Sequence, residues 1–217
     1  TLKPKAMIRE SLPLVNDKVR RSRKMTDSFM SILRHPKGVG KTLRKMHHLH
    51  ALNAFIPEFK NIFCKVQFDL YHIYTVDIHS LFAVEQMCRL WDGEYAESYP
   101  LLSDVANNIE KRELLLLSVL FHDIGKGSGK DHSTQGASMI PTIARRLGLN
   151  REDSNRLQFL VQHHLKMAHI SQRRDLHDIN MIAQFAELMG MSENLRMLYL
   201  LTFADLKAVG PDVWSEW

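Results

Sequence analysis

The feature that most constrains the fold is an almost unbroken apolar run at residues 114–121, inside the segment "ELLLLSVLFHDIGKGSGKDHSTQGA". A helix that is hydrophobic on all sides has to be buried in the protein interior. The run ends on His122 and Asp123, and His132 follows after a turn rich in glycine and lysine. Three side chains that can bind a metal therefore lie beside the most deeply buried helix that the sequence predicts.

The spacing of apolar residues predicts an all-α fold. Leu81, Val84 and Met87 recur at intervals of three, and the same pattern returns near the end of the chain, which places these residues on one face of a helix. Gly and Pro are few, at 10 and 7 of 217 residues, and strand-like alternation is scarce. Predicted helices bounded by Gly, Pro, Asn, Asp or Ser cover residues 4–33, 41–54, 74–90, 97–107, 111–124, 132–147, 153–165, 179–189 and 193–209. Pro141 is expected to disturb the helix at 132–147.

Composition and length predict a soluble, cytoplasmic protein with no membrane partner. The only cysteines, Cys64 and Cys88, are too far apart in sequence for a metal-binding pair, and the chain shows no disulfide framework. The longest apolar run is far shorter than the roughly 20 residues that a bilayer span requires, and no secretory signal opens the chain. Because the sequence begins at Thr1 rather than methionine, we expect it to be a piece of a longer protein.

The positive charge of the chain is confined to its start. Residues 1–50 hold 13 of the 29 Lys and Arg but 3 of the 24 Asp and Glu, so the remaining residues carry a slight acidic excess. A nucleic-acid surface would interleave basic residues with aromatic ones, and the basic stretch offers only Phe29. We predict a solvated basic extension at 1–67, without nucleic acid as partner, followed by a compact domain at 68–217.

The pair of His122 and Asp123 is the strongest candidate for a metal site. At the end of a helix the two side chains can lean toward one cleft and offer a nitrogen and an oxygen to one cation. Gly125 and Gly127 are expected to let the backbone turn sharply. Lys126 is then left beside the cation, where its ammonium group suits a phosphate oxygen.

Further ligands for a first cation are predicted on two other apolar helices. His79 follows "YHIYTVD", and Asp205 lies within "LYLLTFADLKAVG". A buried carboxylate without a partner would cost several kcal/mol, so a cation must compensate Asp205. That cation is a metal in our interpretation, and a salt bridge to Arg or Lys is the alternative.

A second cation is predicted to share Asp123 with the first. His132 begins the helix after the glycine turn, and His163 with His164 follows the apolar stretch "LQFLV". His164 lies on the apolar face of its helix and points to the core, whereas His163 is either a ligand or a surface residue. Two divalent ions a few ångströms apart suit the hydrolysis of phosphate esters.

A second His-Asp pair, at His177 and Asp178, is not expected to bind metal. No apolar run precedes it in "RRDLHDINM", and no lysine follows at the matching distance. Asp178 instead has the position of an N-cap for the helix at 179–189. The dipeptide alone is therefore a weak signal, and the prediction depends on the combination of His79, the first pair and Asp205.

This combination resembles the HD superfamily of metal-dependent phosphohydrolases, whose pattern is a histidine, a His-Asp doublet and a distal aspartate on an all-α core. The stretches "VQFDLYHIYTVDIHSL", "LFHDIGKGSGKDHSTQGA", "VQHHLKM" and "LTFADLKAVGPDVWSEW" are similar to the uridylyl-removing domain of the bifunctional uridylyltransferase/uridylyl-removing enzymes of bacteria. The segment "HPKGVGKTLRKMHHLHALNAFIPEF" resembles the region that leads into that domain. Similarity thus covers nearly the whole chain and implies an HD-domain helical bundle with an N-terminal helical extension.

The resemblance implies hydrolysis of uridylyl-tyrosine on the signalling protein PII, with release of UMP, in the control of nitrogen metabolism. The first divalent ion would be held by His79, His122, Asp123 and Asp205, and the second by Asp123, His132, His164 and, less securely, His163. Lys126 and, as a weaker candidate, Arg174 would neutralise the phosphoryl group. Mn²⁺ or Mg²⁺ is implied, with Fe²⁺ and Co²⁺ as alternatives. Nucleotidyltransferase and glutamine-sensing ACT domains would belong to other parts of the protein.

Two other functions are left open by the sequence. One is an HD phosphohydrolase that acts on a free nucleotide or a cyclic dinucleotide. The other is a non-catalytic sensor domain that holds a structural ion in a closed shell without a water position. The lysine beside the doublet favours catalysis over the second alternative.

Overall fold

The computed structural model describes residues 2–66, 74–128, 131–173 and 178–210. Within these ranges it contains thirteen α-helices and no strand, which confirms the predicted all-α fold. The α-helices are α1 (Leu2–Ser11), α2 (Asp17–Arg20), α3 (Arg23–Leu33), α4 (Val39–His48), α5 (Ala51–Phe55), α6 (Val76–Trp91), α7 (Pro100–Asn107), α8 (Arg112–Phe121), α9 (His132–Arg146), α10 (Arg151–His163), α11 (Lys166–Arg173), α12 (Ile179–Met189) and α13 (Ser192–Val209). Short 3₁₀ helices cover Leu12–Leu14, Pro57–Ile62 and Ile124–Ser128.

The prediction of one continuous helix at 4–33 is wrong, because this segment is divided into α1, α2 and α3. Pro13 lies in the 3₁₀ helix that follows α1. The side chains of Asn16 and Ser22 then accept hydrogen bonds from backbone N–H groups three residues ahead, so each begins a new helix. The predicted helix at 41–54 is likewise divided, at His50, whose φ of 61° is left-handed.

Later helices are mostly closer to prediction. α12 has the predicted bounds, and Asp178 caps it by accepting hydrogen bonds from the N–H groups of Asn180 and Met181. α9 continues through Pro141 without a break, contrary to expectation; Ile140 and Ile143 near the proline are buried, and α9 packs against α10. α11 is not predicted, since this helix is short and mostly polar.

α8 lies at the centre of the fold. All residues from 114 to 121 are buried, and α8 packs against α6, α10 and α13. α6 carries His79, α10 ends beside His164, and α13 carries Asp205. The burial that the apolar run predicts therefore places the end of α8 between the helices that supply the other candidate ligands.

The N-terminal extension shares the hydrophobic core of the compact domain. Phe29 and Leu33 of α3 and Leu43 of α4 belong to the same buried cluster as α8, and α3 packs against α8 while α4 packs against α6. The Arg146 guanidinium at the end of α9 donates two hydrogen bonds, each 2.7 Å long, to the Glu58 carboxylate. The predicted boundary at residue 68 lies outside the described residues and stays a prediction.

No helix in the described ranges combines the length and the apolar character that crossing a bilayer would demand.

A Glu58→Gln variant tests the attachment of the extension. Burial raises the pKa of Glu58, but the hydrogen bonds and charge of Arg146, a backbone hydrogen bond and the charge of Arg20 together outweigh it and hold this pKa below its ordinary value of 4.5. Such a group stabilises the folded state above its unfolded pKa, and the contribution is lost as the pH falls through the folded pKa. We expect the variant to lower the free energy of unfolding by about 1–2 kcal/mol at neutral pH.

This difference between wild type and variant should shrink as the pH is lowered below 4.5. Urea unfolding followed by circular dichroism across that range measures it. A difference that does not change with pH would mean that the carboxylate charge does not hold the extension in place.

Candidate metal centre

The backbone after α8 turns directly into a 3₁₀ helix that packs against the start of α9. A Cβ atom on Gly125 would lie 2.0 Å from the backbone oxygen of His132 and 2.4 Å from the nitrogen of Gly136. The glycine is therefore required for close approach of two backbone segments, rather than for the sharp turn that the sequence suggested. This contact brings the start of α9 to the end of α8.

The first group of candidate ligands comprises His79, His122 and Asp205, whose ligand atoms all lie within 4.8 Å of one another. The Nε2 atom of His79 is 2.8 Å from Oδ1 of Asp205, and Nε2 of His122 is 3.4 Å from the same oxygen. His79 and His122 are each 1% exposed. Three helices thus converge on one buried point with two nitrogens and one carboxylate.

The second group comprises Asp123, His132 and His164. The Nε2 atoms of His132 and His164 lie 3.5 and 3.6 Å from Oδ1 of Asp123. The other oxygen of this carboxylate, Oδ2, lies 3.2 Å from Nε2 of His122 and 2.7 Å from Nζ of Lys126. Asp123 therefore turns one oxygen to each group, as a shared ligand would.

Comparisons with known proteins identify the family of this helical domain. Residues 76–201, more than half of the chain, match the family model described as HD domain. The chain belongs to the HD-domain family. Residues 3–55 match the model described as Uridylyltransferase GlnD third domain, which lies before the HD domain.

Curated relatives cover nearly the whole chain. A bifunctional uridylyltransferase/uridylyl-removing enzyme of Nitrosococcus oceani is 41% identical over 97% of this chain and 24% of its own length. Proteins of the same name from Methylococcus capsulatus and Chromobacterium violaceum are 39% and 40% identical, over 97% and 94% of the chain. The chain spans about a quarter of the length of these relatives.

In two imidazoles of the HD domain, a hydrogen bond at Nδ1 orients Nε2 for metal binding. Nδ1 of His122 is 2.7 Å from the carbonyl oxygen of Val119, and Nδ1 of His164 is 2.8 Å from that of Val161. Since a carbonyl only accepts, each Nδ1 carries a proton and donates it, which leaves the Nε2 lone pair toward the site. This is the tautomer that a metal-binding histidine requires.

The electrostatics of the HD site call for a cation. Nε2 of His122 is buried and makes no hydrogen bond with the described residues, yet it faces the carboxylates of Asp123 and Asp205. Burial lowers the pKa of His122, but these two charges outweigh it and raise the pKa to about 10 in the metal-free protein. In the metal-free protein, a proton on Nε2 thus supplies the positive charge that a divalent ion would supply when bound to the same donors.

The ionisation states of the remaining ligands suit the same conclusion. Burial raises the pKa of both Asp123 and Asp205, but the positive charge of His122, together with His164 and Lys126 for Asp123 and His79 for Asp205, outweighs it and places both pKa values well below their ordinary range. The pKa of His132 is lowered, chiefly by burial. Two ionised carboxylates and a neutral imidazole are the forms that coordinate divalent metals.

Six of the predicted ligands are brought together, and a seventh, His163, is not. The structure places His163 outside both groups, with its ring centroid 4.7 Å from that of Phe159. Arg174 lies outside the described residues. The carboxylate of Asp205 is paired with imidazoles, so the metal interpretation is favoured over the salt bridge to Arg or Lys.

One buried pair near the site was not predicted from the sequence. Asp77 in the first turn of α6 is fully buried, and its Oδ2 lies 3.1 Å from Nε2 of His47 in α4. Burial raises the pKa of Asp77, but hydrogen bonds from His47, Thr75 and the backbone of Cys64 outweigh it and lower the pKa. The sequence feature that could have indicated this pair is a carboxylate at the start of the apolar stretch "VDIHSLFAV".

Binding of Mn²⁺ should raise the melting temperature of the chain, because the donors converge only in the folded state. With the ion at about 100 times its dissociation constant, linkage predicts about 2.7 kcal/mol of stabilisation, which corresponds to a rise of about 5 °C or more. A chelator should reverse the rise. Differential scanning fluorimetry measures it.

Two neighbouring histidines serve as a matched pair for this experiment. His164→Ala removes a residue of the second group and should reduce the Mn²⁺-dependent rise, whereas His163→Ala should keep most of it. Equal rises in both variants would exclude the second group as a metal site.

Proposed function

We propose that the chain carries the uridylyl-removing activity named in its relatives, and that it hydrolyses the phosphodiester of uridylyl-tyrosine on the PII protein to release UMP. The observation that carries this proposal is the pair of ligand groups that meet at Asp123. Such an arrangement suits in-line displacement at phosphorus, where the attacking and leaving oxygens are stabilised together. The relatives' printed name supplies the uridylyl group as the part removed.

The two groups are proposed to hold one or two divalent ions. His79, His122 and Asp205 would hold the first, and His132 and His164 the second, with Asp123 between them. Four of these six side chains are imidazoles, which suit Mn²⁺, Fe²⁺ and Co²⁺ better than the oxygen-preferring Mg²⁺. Among the ions implied by the family resemblance we therefore propose Mn²⁺ before Mg²⁺.

In the reaction, water attacks phosphorus, the bond from phosphorus to the tyrosine oxygen breaks, and the products are UMP and the free tyrosine hydroxyl. When bound, divalent ions would polarise the phosphoryl oxygens and make a water molecule more acidic. The tyrosine phenol has a pKa of about 10 and needs little help from an acid to leave. The protein's task is thus to position the ester and to stabilise negative charge.

Lys126 is proposed to stabilise that charge. Its ammonium lies 2.7 Å from Oδ2 of Asp123 and its side chain is 15% exposed, so it stands between the buried ligands and solvent. A flexible ammonium group at this place can contact a nonbridging phosphoryl oxygen as the substrate binds. Arg174 stays a second prediction for the same contact.

Other parts of the longer protein are proposed to supply the remaining activities. Since the chain spans 24% of its relatives' length, transfer of uridylyl groups by a nucleotidyltransferase domain and glutamine sensing by ACT domains would lie elsewhere. A cytoplasmic location follows from the proposed substrate.

UMP release from uridylylated PII tests the proposal. We expect release by this chain with added Mn²⁺, no release with a chelator, and poor turnover of free nucleotides and cyclic dinucleotides. Asp123→Ala should abolish release while circular dichroism stays helical, because Asp123 faces both ligand groups. Asp178→Ala, in the other His-Asp pair, is the matched control and should keep the parental rate.

Three outcomes would contradict the proposal in different ways. Parental UMP release by Asp123→Ala would remove this residue from the mechanism. Silence on PII with turnover of a nucleotide would indicate a hydrolase of small substrates. Metal binding without any turnover would favour the non-catalytic sensor.

The proposed role of Lys126 is tested by Lys126→Met. Loss of the charge should lower kcat by about 10². Affinity for Mn²⁺ should not fall, because removing a nearby positive charge favours cation binding. Lys37→Met, at an exposed position of the extension, is the control. Steady-state kinetics with Mn²⁺ titration measure both quantities, and a parental kcat would exclude the role.

A further inference from the structure

A buried contact between a histidine and an aspartate joins the N-terminal extension to the helix that carries a candidate metal ligand. Nε2 of His47 in α4 lies 3.1 Å from Oδ2 of Asp77 in α6, and the two residues are 7% and 0% exposed. Nδ1 of the His47 ring makes no hydrogen bond with the described residues. Its contact with Asp77 is thus the polar interaction that accounts for a histidine at this buried position.

Aromatic rings hold the imidazole in place. The ring centroid of His47 lies 5.3 Å from that of Phe63 and 6.0 Å from that of Phe59. Phe59 is completely buried. Because packed rings restrict the rotation of the imidazole, Nε2 is directed at Asp77 and has little freedom to turn elsewhere.

Asp77 in turn holds the start of α6. Its Oδ2 accepts a hydrogen bond of 3.0 Å from the backbone N–H of Cys64, and the backbone N–H of Val76 donates to the oxygen of Lys65 at 2.9 Å. His79 is two residues further along the same helical turn, with its N–H bonded to the oxygen of Thr75 at 2.9 Å. A shift of Asp77 would therefore be transmitted to His79 through the backbone.

We propose that His47 is a positioning residue of the metal centre, acting through Asp77 to hold His79 in place against Asp205. The proposal rests on the proposed metal site and extends it to a residue outside the HD domain. Loss of His47 removes one of the donors to a fully buried carboxylate, which is unfavourable because its charge is then compensated less well. The start of α6 is then expected to move until that carboxylate is solvated, and the first ligand group opens.

The pair of His47 and Asp77 joins segments that match two different family models. The match to the GlnD third domain ends at residue 55 and the match to the HD domain begins at residue 76, so His47 and Asp77 lie in different matched segments. The metal centre is therefore completed by a neighbouring segment. A movement of the extension would reach the first ligand group through one hydrogen-bonded contact.

The test is the affinity of the whole chain for Mn²⁺, measured by calorimetry and by electron paramagnetic resonance of the free ion. His47→Leu keeps the volume but removes the N–H donor, and we expect it to weaken Mn²⁺ binding about tenfold. His47→Gln can present an amide N–H near the position of Nε2 and should restore affinity to within about threefold of wild type.

Glu58→Gln separates positioning from general destabilisation. Its partner Arg146 also joins the extension to the core, but it lies at the opposite end of α9 from His132. This variant should lower the melting temperature and leave Mn²⁺ affinity unchanged. His47→Leu should lose affinity at temperatures where both variants are fully folded by circular dichroism.

The outcomes distinguish this inference from the proposed function. Parental Mn²⁺ affinity in His47→Leu, or equal losses in His47→Leu and Glu58→Gln, would overturn the positioning role and leave the metal site standing. Failure of the wild-type chain to bind Mn²⁺ would overturn the site and, with it, the role of His47. Loss in His47→Leu with recovery in His47→Gln supports it.

Discussion

The structure depends on placing two ionised carboxylates and three almost fully buried imidazoles in its interior. Asp123 and Asp205 face His122 across 3.2 and 3.4 Å, and their side chains are 3% and 19% exposed, so that only Asp205 has partial access to water. Such a cluster is tolerable only if positive charge fills the space between the oxygens, as a proton or as a metal ion. The surrounding helices can then be understood as the means of holding these donors in a fixed arrangement.

α8 provides the rigid support for this cluster. Because residues 114–121 are buried on all sides, α8 cannot rotate or slide without disturbing the core. The His-Asp pair that follows α8 is therefore held in one position. The bonds from His122 and His164 to backbone carbonyls then fix the imidazole tautomers. Fixed donors lower the reorganisation that catalysis would otherwise require at each turnover.

The extension belongs to this support. Its helices share the hydrophobic cluster of the HD domain, and His47 contacts Asp77 at the start of the helix that presents His79. The match to the HD model covers residues 76–201, so it leaves out the extension and also Asp205.

The sequence by itself determined the all-α class and the burial of α8, and it also indicated six of the candidate ligands, because helical periodicity and runs of apolar residues are local properties. It did not determine the breaks at Asn16, Ser22 and His50, where capping and a left-handed residue override periodicity. Periodicity directed His164 toward the core, but only the tertiary structure decided that it faces Asp123 while the adjacent His163 packs on Phe159. Residues that are distant in sequence, such as His47 and Asp77, become partners only through packing, for which periodicity carries no signal.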